Sequence, residues 1–172
     1  MAPQQQRHNS TAAGEGKQGG AAKKEKKAPG PLRPSSSILL LSPTNQVLLL
    51  HRVRTSTSFA SAHVFPGGNL SSFHEGSLGV PTPDSEAMHV DGPAYRLAAV
   101  RETFEESGIL LAKDKQGRLL ELDEETRENG RRQTHGNKIK FGDWLESVGG
   151  VPDTGKQALL NLLLISNKQH GN

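Results

Sequence analysis

The residues best suited to chemistry lie together in Arg101-Glu102-Thr103-Phe104-Glu105-Glu106-Ser107-Gly108-Ile109. Read as a helix turning about 100° per residue, this stretch gathers Glu102, Glu105 and Glu106 within an arc of about 100°, while Leu97, Val100, Phe104 and Leu111 collect on the opposite side. The expectation is an apolar face packed inward and three carboxylates facing out. Like charges at these spacings repel and cost a helix roughly a few tenths of a kcal/mol per pair, so a positive partner must offset them. Carboxylate oxygens are hard ligands, which suit Mg²⁺ or Mn²⁺. An isolated E-x-x-E-E is more often a solvated acidic face. Here Arg101 precedes it, Gly108 follows it, and Phe65-Pro66-Gly67-Gly68 stands upstream at the end of a strand-like run. The pattern R-E-x-x-E-E-x-G has a chance on the order of 10⁻⁴ of arising in a chain of this length.

Together these residues resemble the Nudix hydrolase box, G-x5-E-x7-R-E-U-x-E-E-x-G-U, where U is a bulky aliphatic residue. With Gly68 as the opening glycine, the stretch to Arg101 is nineteen residues longer than the pattern, His74 stands at the place of the first glutamate, and Thr103 replaces an aliphatic residue. An insertion at that place characterises the peroxisomal acyl-coenzyme A diphosphatase branch. The strings Ser61-Ala62-His63-Val64-Phe65-Pro66-Gly67-Gly68 and Val100-Arg101-Glu102-Thr103-Phe104-Glu105-Glu106-Ser107-Gly108 look like that branch. A coenzyme A-associated pattern, L-L-T-x-R-[SA]-x3-R-x3-G-x3-F-P-G-G, is matched at Leu49, Arg52 and the F-P-G-G end.

The resemblance implies an α/β fold, a Nudix-like mixed sheet packed between helices, incomplete on its carboxyl side. It implies a divalent-metal-dependent hydrolase that cleaves the diphosphate linkage of a small nucleoside diphosphate derivative, with coenzyme A or acyl-coenzyme A favoured. By the same resemblance Glu105 and Glu106 are metal ligands, and Glu102 is a further ligand or the base that activates water. The Gly67 carbonyl would be another ligand, Arg101 would hold a glutamate in place, and the cofactor would be Mg²⁺ or Mn²⁺. His63 and His74 are candidate substrate neighbours.

Elements that must position these groups can be read in turn. Residues 37–41 and 46–52 are apolar runs around Ser42-Pro43-Thr44-Asn45, a hairpin whose strands look buried on two faces. Ala62–Phe65 reads as a strand stopped by Pro66, with Gly67 and Gly68 making a bend. Residues 69–92 lack a sustained period and read as an exposed insertion loop. The carboxylate helix should run from Ala94 to Ser107 and stop at Gly108, with Ile109-Leu110-Leu111 leaving as a strand. A polar stretch follows. Phe141, Trp144, Leu145 and Val148 then recur at helical spacing, the aromatic pair as packing rather than ligand stacking, and Gly149-Gly150 end that helix. Gly150–Gln157 nearly spells a phosphate loop, but Gln157 sits where a hydroxyl is needed.

Charge divides the 172 residues unevenly. Residues 1–34 hold seven Lys or Arg against two Glu, a net of +5, so the rest carries −2 of the chain's +3. We read residues 1–35 as a disordered basic tail that cannot bury enough apolar surface to order itself. Residues 36–155 are the Nudix-like domain, and 156–172 an apolar segment with a polar end. The lysine cluster reads as solvated rather than as a nucleic-acid or membrane contact. Without cysteine there are no disulfides or thiolate ligands, and no apolar run reaches the roughly 20 residues of a membrane span. Location defaults to the cytoplasm, with peroxisome or mitochondrion suggested by the resemblance alone, and oligomeric state is unassigned. Two other readings stand beside the enzyme: a catalytically silent truncated fragment that binds a partner or does not fold stably, and an RNA-directed Nudix hydrolase using the lysine tail.

Overall fold

The computed structural model describes residues 31–155. The tail through residue 30 and the segment 156–172 lie outside the described residues, as does part of the near phosphate loop.

The helix that carries the carboxylates is α2, Pro93–Ser107. Pro93 opens it, since its fixed φ suits the first turn and its missing N–H has no partner to lose there. Gly108 closes it in the left-handed conformation, φ 77°, and its N–H donates to the Phe104 carbonyl at 2.9 Å. These bounds agree with the periodicity. The inward stripe also forms as expected: Leu97, Val100 and Phe104 are buried against Ala112 and against Phe141, Trp144 and Leu145. The last three belong to α4, Phe141–Ser147. The Phe104 and Trp144 rings stack at 4.9 Å, so the aromatic pair is core. Thr103, placed where an aliphatic residue is usual, is fully buried, and its hydroxyl donates to the Ala99 carbonyl at 2.7 Å. That bond satisfies the hydroxyl inside its own helix.

The polar stretch after α2 is a helix, α3, Glu124–His135. Its start is set by Asp123, whose carboxylate accepts the Thr126 N–H at 2.8 Å. Glu124 and Glu125 in its first turn and Arg132 and His135 in its last complement the helix dipole. Only Gly130 and Thr134 are buried, so no apolar period marks it in the sequence. Gly130 lets the helix lie flat on the core: a Cβ there would fall 2.1 Å from the Trp144 ring.

Three short antiparallel ladders are formed among the described residues. β1 (Ser35–Ser37) pairs with β4 (Gly67–Asn69), β2 (Leu50–His51) with β3 (His63–Val64), and β5 (Ala112–Asp114) with β6 (Gly150–Pro152). Of these strands, β1 and β4 pack on α2 and β6 on α4. Residues 42–45 turn as expected, and Leu48 N–H donates to Leu40 O across the hairpin. Its arms are not buried on both faces. Ile38, Leu40, Leu48 and Leu50 are half-buried while Leu39, Leu41, Val47 and Leu49 are exposed, the period-two pattern of a one-sided ladder.

Three further expectations are corrected. Gly67 and Gly68 do not form a bend but the strand β4, where the missing side chains allow close approach. Ile109–Leu111 is not a strand, and pairing begins at Ala112. The insertion 69–92 is not wholly an exposed loop. It holds α1 (Ser72–Glu75), capped by Ser71, and two 3₁₀ turns, and it buries His74, Glu75 and Met88.

Candidate active site

Arg101 is the centre of the site. Its Nε donates to Glu75 Oε1 at 2.7 Å and its Nη2 to Glu75 Oε2 at 3.3 Å and to the Asn69 carbonyl at 3.2 Å. Its Nη1 donates to Glu102 Oε1 at 2.8 Å and Glu105 Oε1 at 3.3 Å. One guanidinium, 4% exposed, thus engages three carboxylates. Burial works against its charge, but bonding to Glu75 and the surrounding negative charge raise its pKa above the ordinary arginine value.

Glu75 was not among the residues singled out by sequence. The box pattern points one residue earlier, to His74, but α1 turns Glu75 inward, and its Oε2 also accepts the Ser71 N–H at 2.7 Å. A glutamate next to the pattern position was the available signal. His74 lines the cleft that also holds the glutamates. It is buried, and its Nδ1 accepts the Phe141 N–H at 3.0 Å, which ties α1 to α4. Burial and the nearby Arg101 charge push its pKa down. His63 is exposed in β3, stacks on His51 at 4.8 Å and does not line the cleft.

The double glycine meets the carboxylates directly. Gly67 N–H donates to Glu106 Oε2 at 3.0 Å. A Cβ on Gly68 would lie 2.6 Å from the Glu102 carboxylate, and one on Gly67 would lie 2.3 Å from the Ser36 carbonyl oxygen. Glu106 is exposed and Glu102 half-buried. Burial raises the Glu102 pKa, the Arg101 charge and hydrogen bond oppose this, and the charges of Glu105 and Glu106 raise it further.

Glu105 departs from the expected outward-facing trio. It is 8% exposed because α3 covers it. Arg131 Nη1 donates to the Glu105 carbonyl at 3.0 Å, and His135 Nδ1 stands 3.3 Å from Glu105 Oε2. All three glutamates line a cleft of about 460 Å³ whose other walls include Ser72, His135 and Asn137.

Among the described residues no three His, Cys, Asp or Glu side chains are gathered tightly enough to grasp an ion as they stand. Arg101 bridges Glu102 and Glu105. The chemistry of the donor set nevertheless fits Mg²⁺ or Mn²⁺, with the carboxylate oxygens of three glutamates on one cleft, one of them, Glu102, disfavoured as an anion chiefly by burial.

No family model matches the chain. Over 80 residues, 46% of its length, it is 38% identical to "Putative nudix hydrolase 7" of Caenorhabditis elegans, of which it covers 22%. A crystal structure of a NUDIX hydrolase from Alicyclobacillus acidocaldarius matches 74% of the chain and 60% of its own length at a TM-score of 0.53, with 24% sequence identity. This chain has the Nudix fold. On that fold, the helix bearing R-E-T-F-E-E is the one that lies against the double glycine, and Glu75 of the insertion joins it through Arg101. The chain spans about a fifth of the curated relative it matches. Fold by itself does not name a reaction, so the chemistry must be argued from the cleft.

Proposed function

We propose that this chain is a divalent-metal-dependent Nudix-type hydrolase that cleaves the diphosphate linkage of a small nucleoside diphosphate derivative. The observation that carries the reading is the meeting of Glu102, Glu105 and Glu106 on one cleft beside Gly67 and Gly68. A diphosphate repels an incoming oxygen nucleophile because its phosphorus atoms are shielded by anionic oxygens. Mg²⁺ or Mn²⁺ would neutralise that charge and supply an acidified water. Glu105 and Glu106 would hold the ion, with Glu102 as a further ligand or the proton acceptor, and Gly67 contributing from the backbone. Arg101 keeps Glu102 and Glu105 from splaying apart. Water adds to one phosphorus, the bridging P–O bond breaks, and two phosphomonoesters leave. For the substrate we favour coenzyme A or its acyl esters, supported by the likeness of residues 61–68 and 100–108 to the acyl-coenzyme A diphosphatase branch.

Isothermal titration with Mn²⁺ tests the reading on the wild type and on Glu105→Gln/Glu106→Gln. Binding by the wild type that the double variant loses is expected, together with metal-dependent release of phosphomonoesters from coenzyme A. Equal, negligible binding by both proteins overturns it.

A further inference from the structure

We infer that His135, which lies outside the Nudix box, is a positioning residue that aims the Glu105 carboxylate into the metal cleft. The inference rests on the metal reading above. It starts from the way α3 holds a single residue of α2 at two points. Arg131 donates to the Glu105 main-chain carbonyl at 3.0 Å, and His135 Nδ1 lies 3.3 Å from the Glu105 side-chain oxygen Oε2. The two residues are four apart on α3, so they share one helix face. That face is placed by tertiary packing: Gly130 seats α3 on Trp144, and Gly108 brings the end of α2 beside Arg131 and Glu128.

Glu105 has two carboxylate oxygens and each has one partner, Oε1 on Arg101 and Oε2 near His135. Arg101 alone would leave the carboxylate free to swing about that single bond. The second partner removes this freedom and leaves the remaining lone pairs of both oxygens for a cation in the cleft. A hydrogen bond to a ligating carboxylate from outside the ligand set is a general way to orient it, and losing such a bond typically lowers metal affinity by about 10- to 100-fold. The His135 ring is otherwise 76% exposed, so it makes little contribution to the core.

His135 can be only neutral or positive. By Coulomb attraction alone, deleting a group of that kind beside a cation site would leave metal binding unchanged or tighten it. Weaker binding therefore reports lost positioning and not lost charge. The conservative variant sharpens this, because an asparagine amide nitrogen sits close to where the imidazole Nδ1 was and can donate to Glu105.

The experiment is Mn²⁺ titration of the full chain as wild type, His135→Ala and His135→Asn at one pH, with urea unfolding of each. We expect His135→Ala to weaken Mn²⁺ binding by about tenfold or more, His135→Asn to recover most of that, and the unfolding midpoints to agree. Affinity in His135→Ala equal to or tighter than the wild type overturns the inference and leaves the metal reading standing. A failure of His135→Asn to recover any of the loss also overturns it. If the wild type itself binds no Mn²⁺, the metal reading falls and this inference with it.

Discussion

Arg101 and Glu75 form a buried ion pair at 2.7 Å across 26 residues of sequence, with their side chains 4% and 0% exposed. It ties the insertion to the carboxylate helix. Removing one member of such a pair leaves an uncompensated charge in the interior, which is far costlier than losing a surface pair. Glu75→Ala is therefore expected to lower stability by about 3 kcal/mol, the low end of the usual range because Glu102 and Glu105 still face the guanidinium. Urea unfolding of the variant measures this. A loss below about 0.5 kcal/mol, typical of surface sites, would show that the pair does not hold the fold together.

Gly67 and Gly68 should respond differently to alanine. At Gly68 the new methyl meets the tip of the Glu102 side chain, which can rotate away. At Gly67 it meets the Ser36 main-chain carbonyl within β1, which cannot. Gly68→Ala should keep stability within about 1 kcal/mol while lowering Mn²⁺ affinity about tenfold. Gly67→Ala should unfold at markedly lower urea. Similar midpoints for the two variants would contradict the close approach of β4 to β1.

Gly130→Ala separates helix propensity from packing. In an exposed helix interior alanine is better than glycine by about 1 kcal/mol. At this site its methyl would overlap the Trp144 ring, and overpacking of that kind costs about 1–3 kcal/mol. The expected net result is a destabilised protein with altered Trp144 fluorescence, Trp144 being the single tryptophan. A stabilised variant would place α3 elsewhere.

His74 should make stability depend on pH. Its folded-state pKa is depressed, chiefly by burial, below the ordinary value of 6.5. The unfolded chain therefore takes up this proton first as pH falls. The associated stability is complete above about pH 6.5 and is lost as pH drops toward the depressed value. His74→Asn can keep an acceptor for the Phe141 N–H without titrating. In metal-free buffer the urea midpoint of the wild type should fall relative to that variant between pH 7 and pH 5. Parallel curves would show that His74 does not titrate differently on folding.

What the sequence by itself determined is local. The stripe Leu97, Val100, Phe104 and the glutamates at 102, 105 and 106 lie within one helix, where a repeat of 3.6 residues decides which side chains share a face. Its glycine stop and the apolar spacing of Phe141, Trp144 and Leu145 were legible for the same reason. Tertiary structure decided the rest. Glu75 reaches Arg101 over 26 residues and His135 reaches Glu105 over 30, through α1 and α3. α3 has almost no apolar period because it rests on the core through a glycine and a threonine, and α1 is a single turn inside a stretch rich in Ser and Gly. Neither spacing nor propensity encodes such contacts. They exist because packing brings distant turns to the same carboxylate, and that packing also buries Glu105, which helical geometry alone would have left facing water.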